Sequence, residues 1–236
     1  MNKRILIKIS GELFKSDQSA VDLEKVKGIA EELKKIHGSY DIGLVFGGGN
    51  VFRGRSVKDL NINMATAHYI GTISSIPNSL ALKTVLDALD VPSRIISAIS
   101  VPQLIGTSSK FDIDKYFKLG EILIFAGGTG LPFVTHDTAA VIRALEIKAE
   151  VLLKATGVKG VYDSDPRKNS AAVKFKEMDY ATFLQLKNAA IFDRTAAVLA
   201  EENKLPTYIF KWEKGSLKKA IKLRSGGTLI KYKKLN

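Results

Sequence analysis

Residues 47–54 read Gly47-Gly48-Gly49-Asn50-Val51-Phe52-Arg53-Gly54, and the reading of this stretch decides the fold. It follows Ile42-Gly43-Leu44-Val45-Phe46, a short apolar run of the kind that forms a buried strand. Three glycines in a row let the main chain approach a ligand with no Cβ in the way. Arg53 and Arg55 come next, and a guanidinium fork matches phosphate oxygens. Backbone N–H groups and an arginine together make an anion cradle. A flexible turn after a strand would look the same in isolation; repetition of the pattern separates the two. Ser10-Gly11 and Gly127-Gly128-Thr129-Gly130 also follow apolar, β-branched runs, at Arg4 to Ile9 and Glu121 to Ala126.

Working outward, strands are predicted at 4–9, 42–46, 94–99, 121–126, 151–155, 207–210 and 228–232. Helices are predicted at 21–36, 112–119, 137–147, 180–187, 193–203 and 216–222. A long helical pattern from Met64 to Leu89 is expected to bend or break at Pro77. Val161-Tyr162 and Val173-Lys174-Phe175 are expected to pair as a small hairpin around Asp163-Ser164-Asp165-Pro166. Strands alternating with helices imply one mainly parallel sheet covered on both faces, and the 236 residues read as a single domain, 1–236. In such a sheet ligands gather at the carboxyl ends of the strands. Three glycine turns on one edge offer more N–H donors than one phosphate needs, which points to two phosphorylated ligands or one long one.

Composition narrows the class. With 45% hydrophobic residues the chain can bury a full core, and without cysteine it has neither disulfides nor thiolate metal sites, as suits a reducing cytoplasm. No apolar run is long enough to span a bilayer, and Lys8 interrupts the first one, so a soluble, cytoplasmic protein is expected. The net charge of +12 admits nucleic acid, a membrane surface or acidic small substrates. The lysines concentrate between Lys211 and Lys234, where they alternate with apolar residues and read as a solvated face. Trp212 alone among them is thin support for nucleic-acid binding.

Neither G-x-x-x-x-G-K-[ST] nor a strand-linked G-x-G-x-x-G with a downstream acid is present. A lysine instead precedes the first glycine turn, in Lys8-Ile9-Ser10-Gly11. On a central strand Lys8 would reach the ligand edge; on an edge strand it would be only the solvent member of an alternating pattern.

Five ordered motifs run through the chain: Lys8-Ile-Ser-Gly-Glu12, Gly47-Gly-Gly-Asn-Val-Phe-Arg-Gly54, Gly128-Thr-Gly-Leu-Pro-Phe133, Asp137-Thr-Ala-Ala140 and Lys154-Ala-Thr-Gly-Val-Lys-Gly-Val-Tyr162, with Asp165-Pro166 behind the last. Together they resemble the bacterial uridylate kinases of the amino-acid kinase superfamily. The resemblance implies an α/β fold, a three-layer αβα sandwich around a mainly parallel sheet, and a homohexamer. It implies phosphorylation of UMP by ATP with Mg²⁺, the metal carried by ATP with no direct protein ligand, and UTP as an inhibitor.

Position by position, the resemblance places Lys8, Ile9, Ser10, Gly11 and Gly49 along the ATP phosphates, with Arg53 bracing the transferring group. Gly48 and the run Thr129, Gly130, Leu131, Pro132, Phe133, Val134, Thr135 and His136 match the UMP segment, Phe133 beside the base. Thr156, Tyr162 and Asp165 match the adenine and ribose contacts. Lys8, Arg53 and Asp137 are the catalytic set, and Asp193 matches a further site aspartate. Two departures stand out. His68 occupies the position where the family has an aspartate for the UMP ribose, and the stretch from Glu12 to Val21 lacks the glycines the family associates with GTP activation.

The inventory suits phosphoryl transfer to a phosphate. The acceptor oxygen, with a second pKa of about 6, is mostly ionised at neutral pH and needs no general base. Cations and N–H groups are what such a reaction uses. A superfamily enzyme acting on a carboxylate or carbamate is the nearest rival, and a basic nucleic-acid-binding regulatory module the rival from another class. Asp137 could equally be a first-turn helix acid favoured by the macrodipole, and Phe133 could be core.

Overall fold

A computed structural model describes residues 2–52, 62–105, 109–186, 191–223 and 226–232. The strands are β1 (Lys3–Ile9), β2 (Tyr40–Phe46), β3 (Ser93–Ser97), β4 (Ile122–Ala126), β5 (Val151–Thr156), β6 (Glu177–Asp179), β7 (Thr207–Lys211) and β8 (Thr228–Lys231). They form one eight-stranded sheet in the order β3-β4-β2-β1-β5-β7-β8-β6. All the pairings are parallel except β7 with β8. The carboxyl ends of β1, β2, β3, β4, β5 and β7 therefore share one edge.

Side-chain alternation along the strands builds two cores. Ile5, Ile7 and Ile9 of β1 face α1 (Leu23–Lys34), α3 (Ser75–Ala88) and α8 (Ser216–Ile221). Leu6 of β1 and Leu152 of β5 face the other way, toward α4 (Ile113–Lys118), α5 (His136–Glu146), α6 (Tyr180–Gln185) and α7 (Arg194–Glu202). This is the expected three-layer αβα sandwich. Because successive strand residues point to opposite faces, Lys8 shares the α5 side with Leu6. β1 lies between β2 and β5, which disposes of the edge-strand alternative for Lys8.

The 64–89 region is interrupted at Ser74, within the turn that Pro77 disrupts. α2 (Met64–Ile73) ends at Ser74, and α3 begins at once. Pro77 is the third residue of α3 and has no N–H to offer Ile73 O, the carbonyl at which α2 ends. Two hydroxyls add to the proline's effect: Thr72 Oγ1 donates to His68 O (2.9 Å), and Ser74 Oγ donates to Ile70 O (2.7 Å). Such back-bonding competes with the helical ladder and bends it. The hairpin around 163–166 is reduced to one antiparallel bridge, Tyr162 with Lys174, flanked by Asp163 N to Val173 O (3.1 Å) and Phe175 N to Val161 O (2.9 Å). Lys187, at the end of one predicted helix, lies outside the described residues, and α6 stops at Gln185.

Candidate active site

Three glycine turns meet on the carboxyl edge, and short contacts fasten them together. Gly11 abuts the second turn so closely that a Cβ there would lie 2.4 Å from Asn50 Oδ1 and 2.5 Å from Gly47 O. Only glycine fits that approach. Gly47 N donates to Ile9 O (3.1 Å), and Ser10 N donates to Ala155 O (3.2 Å), so the first turn is tied to the ends of β2 and β5. Gly48 O accepts from Val51 N and Phe52 N, both at 3.0 Å, which closes the second turn.

The α2–α3 junction clasps the other two turns. Asn78, fully buried on α3, donates to Gly47 O (2.9 Å) and exchanges amide hydrogen bonds with Asn50 at 2.9 Å in each direction. Buried Ser75 donates to Thr72 O (2.9 Å) and accepts from Gly127 N (3.1 Å). Gly49 belongs to the same second turn. Arg53, expected to brace the transferring group, lies outside the described residues, as does Arg55.

Beneath the turns is a buried knot of charge. Lys8 and Lys154 are register partners on β1 and β5, only 8% and 3% exposed. Asp137, from the first turn of α5, stands between them. Its Oδ1 forms an ion pair with Lys8 Nζ at 3.1 Å, and its Oδ2 accepts a short hydrogen bond from Lys154 Nζ. Burial by itself raises the Asp137 carboxyl, but Lys154 and Lys8 outweigh it and hold the group well below the usual carboxylate range. Burial pushes the Lys154 ammonium down to about 8, against the opposing pull of Asp137. The Lys154 ammonium also lies 5.2 Å from the centroid of the Phe192 ring. Both readings of Asp137 hold at once, since it sits in the first turn of a helix and organises two cations.

Asp193 explains how α5 is held. Its carboxylate accepts hydrogen bonds from the hydroxyls of Thr135 and Thr138, the latter at 3.1 Å, and from Ala196 N at 2.8 Å, which makes it the cap of α7. Thr135 in turn caps α5, accepting from Asp137 N (3.0 Å) and Thr138 N (3.3 Å). One aspartate thus fixes the starts of both helices, and with them the height of Asp137.

The loop from 127 to 136 arches over this floor. Gly130 N donates to Gly127 O (2.9 Å), and Leu131 N donates to Thr129 Oγ1 (3.3 Å). Pro132 and Val134 are half-buried, while Leu131 is exposed. Phe133 is 66% exposed and sits at φ +65°, a left-handed conformation that a bulky residue seldom adopts. It is not core. Strain of this kind gathers at ligand sites. The Phe133 ring meets the ring of His68, centroids 4.8 Å apart and tilted by 45°. His68, which the resemblance aligns with a ribose-binding aspartate, is therefore turned onto Phe133, which the resemblance sets beside the base.

The residues matched to adenine and ribose lie at the end of β5 and beyond it. Thr156 Oγ1 donates to Val158 O (2.8 Å) and accepts from Val158 N (3.1 Å). The Asp165 carboxylate accepts from both the backbone and the guanidinium of Arg167 at 3.0 Å. Tyr162 holds the bridge described above. Among the described residues, no three His, Asp or Glu side chains gather into a metal-binding group, and no helix is long and apolar enough to cross a membrane.

The amino acid kinase family model matches residues 3–211. A uridylate kinase from Rickettsia bellii is 38% identical over 97% of this chain and 96% of its own length. One from Bartonella bacilliformis is 40% identical over 93% and 92%. The crystal structure of a UMP kinase from Ureaplasma parvum superposes with a TM-score of 0.91 at 34% identity, covering 98% of this chain and 99% of that one. The chain belongs to the amino acid kinase family, and within it to the uridylate kinases.

Proposed function

We propose that the protein transfers the γ-phosphoryl group of ATP to UMP, yielding ADP and UDP. The observation that carries this reading is the buried Lys8–Asp137–Lys154 knot at the point where three glycine turns converge. Two fixed ammoniums aimed at one spot can neutralise charge spreading over a transferring phosphoryl group, and the carboxylate between them holds both in place before substrate arrives. Lys154 joins Lys8 and Asp137 as a catalytic residue. Arg53 belongs to the same proposal. A phosphate acceptor ionised at neutral pH explains why the floor has cations and no catalytic base.

On this reading ATP runs along Lys8 to Gly11 and Gly49, with its base and sugar toward Thr156, Tyr162 and Asp165. The salt bridge from Arg167 must then yield or reorient for Asp165 to meet the ribose. UMP takes Gly48 and the 129–136 loop, with uracil against Phe133. Buried ammoniums and backbone N–H groups suit a triphosphate, and Mg²⁺ carried by the nucleotide adds charge neutralisation. The protein works in the cytoplasm as a single-domain chain assembled into a homohexamer, and UTP, sharing the acceptor's uridine, competes with UMP. All eight described strands joining one sheet supports the single domain.

The test is ADP release with Mg-ATP and a panel of acceptors: UMP, CMP, AMP, GMP, carbamate and aspartate. UMP is expected to be the preferred acceptor. Another nucleotide preferred by tenfold, or turnover with a carboxylate or carbamate alone, would falsify the assignment.

A further inference from the structure

The entry into α7 reads Ile191-Phe192-Asp193, and two of its side chains reach the charged floor of the site. Asp193 holds the start of α5 through Thr135 and Thr138. Phe192 precedes it by one residue and meets Lys154, whose ammonium stands over the ring at 5.2 Å from the centroid. Cation–π attraction acts within about 6 Å. Packing fixes the ring: Phe192 is fully buried, and the ring of Phe183 on α6 lies 6.2 Å from it, tilted by 58°.

Lys154 has use for such a neighbour. It is buried, and Asp137, its ion-pair partner, is shared with Lys8. The Lys8 ammonium opposes the charge on Lys154, and the Asp193 carboxylate favours it. Ile209, the register partner on β7, is apolar. His136, beside Asp137 on α5, is pushed by burial to about 4 and stays neutral. Burial leaves the Lys154 ammonium at about 8, so its charge is half lost roughly one pH unit above neutrality. A second carboxylate would secure that charge but would repel incoming phosphates. A ring face stabilises a cation and adds no net charge.

We infer that Phe192 is a positioning residue, whose ring face keeps Lys154 charged and in place for the transferring phosphoryl group and so sets the alkaline limit of the reaction. The inference rests on the reading of Lys154 as a catalytic cation. The plain alternative is a core filler, since Phe192 belongs to the apolar cluster between the sheet and α5, α6 and α7; any apolar side chain of similar size would then serve. The two differ in sign and in pH. The ammonium is the working form and the ring favours it, so removing the ring lowers the pH at which the charge is lost. A filler has no such dependence.

Phe192→Leu keeps the apolar bulk without the ring. Trifluorophenylalanine at the same position keeps the ring's shape and weakens its electrostatic face. The measurement is kcat/KM for ATP against pH, which reports groups as they stand before ATP binds. In Phe192→Leu the alkaline limb is expected to move down by about one pH unit. The variant then loses about eightfold at roughly pH 8.5 and less than about 1.5-fold at roughly pH 6.5. The fluorinated protein should fall between it and wild type. Carbon-13 NMR titration of Lys154 Cε in the ligand-free protein, assigned with Lys154→Arg, should show the same displacement. A loss equal at every pH would mean packing alone and overturn the inference, as would a Lys154 titration indifferent to fluorination. If Phe192→Leu fails to fold, the fluorinated protein decides. Absence of UMP turnover in wild type would instead defeat the proposed function, and the titration would still read the ring's hold on Lys154.

Discussion

At the ends of β1 and β5, Lys8 and Lys154 are buried and Asp137 forms an ion pair with each, its Oδ1 making no hydrogen bond. At the 127–136 loop, Phe133 is largely exposed in a strained conformation, and the His136 nitrogen beneath it has no partner. The first region is held together by its own ion pairs; the second presents its aromatic side chain to solvent. The difference follows from the chemistry. Charge stabilisation in a transition state works best when the charges need no rearrangement. Acceptor recognition needs groups whose hydrogen bonds are still unmade.

If the knot is preorganised, breaking it should produce the largest effect. Asp137→Asn removes the only anion between two buried ammoniums. Turnover is expected to fall roughly 10²-fold or more, the usual scale for losing an electrostatic stabiliser, and Lys8→Ala should do the same. Stability responds as well. Removing one member of a buried ion pair costs about 3 kcal/mol, moderated here because Lys154 can give up its proton. The depressed Asp137 carboxyl contributes fully above its ordinary value of 3.8, and that contribution is lost as pH falls through the lower folded value. Urea unfolding should therefore show the full gap between wild type and Asp137→Asn at neutral pH, narrowing below about pH 4. A Lys8→Ala protein with near-normal turnover would show that the knot is merely structural.

Lys8 was legible in the sequence because a lysine inside an apolar strand demands an explanation. Lys154 carries the same signature, in Leu152-Leu153-Lys154-Ala155, yet only the β1–β5 register sets it opposite Lys8. A long side chain near a strand end can also reach water, so composition alone could not separate the two cases. Asp193 matched a site aspartate by resemblance, but no local pattern announces that it catches Thr135 and Thr138 from 55 residues or more away. Apart from β6, the order of strands and helices was readable from periodicity. β6 escaped because three residues give alternation too little room. Pro77 marked the interruption because it removes the N–H that would otherwise bond Ile73 O.

At the acceptor end the same contrast predicts adaptability. His68 is turned onto Phe133, and a neutral imidazole accepts only one hydrogen bond, whereas a carboxylate can hold both ribose hydroxyls. His68→Asp is therefore expected to tighten UMP binding about fivefold, one net hydrogen bond of ~1 kcal/mol, with little change in turnover. Initial rates across UMP concentrations measure both. A clear loss of affinity would mean that the aromatic pair is itself a contact for the acceptor, and that the loop is more finished than it looks.

The smallest expected effect concerns a segment that adjoins the knot and shares its closed character. After Ser10 the chain makes a single tight turn, Gly11–Phe14, and Phe14 is fully buried with its ring 5.0 Å from that of Phe46. Phe14 O accepts from Asp22 N (2.7 Å), Ser16 N donates to Ser19 O (2.9 Å), and Lys15 pairs with Glu12 at 2.7 Å. These contacts tie the segment to the core and to itself, and from 12 to 21 it contains no glycine to bring backbone N–H groups around a triphosphate. An effector acts only through different affinities for two states, and this segment has little freedom to take a second one. GTP is therefore expected to change turnover by less than the roughly fivefold typical of a coupled effector. The measurement is rate against UMP at saturating ATP, with and without GTP. A several-fold rise would place the effector elsewhere, on lysines at a subunit junction, and would show that the region around the knot is less rigid than its contacts imply.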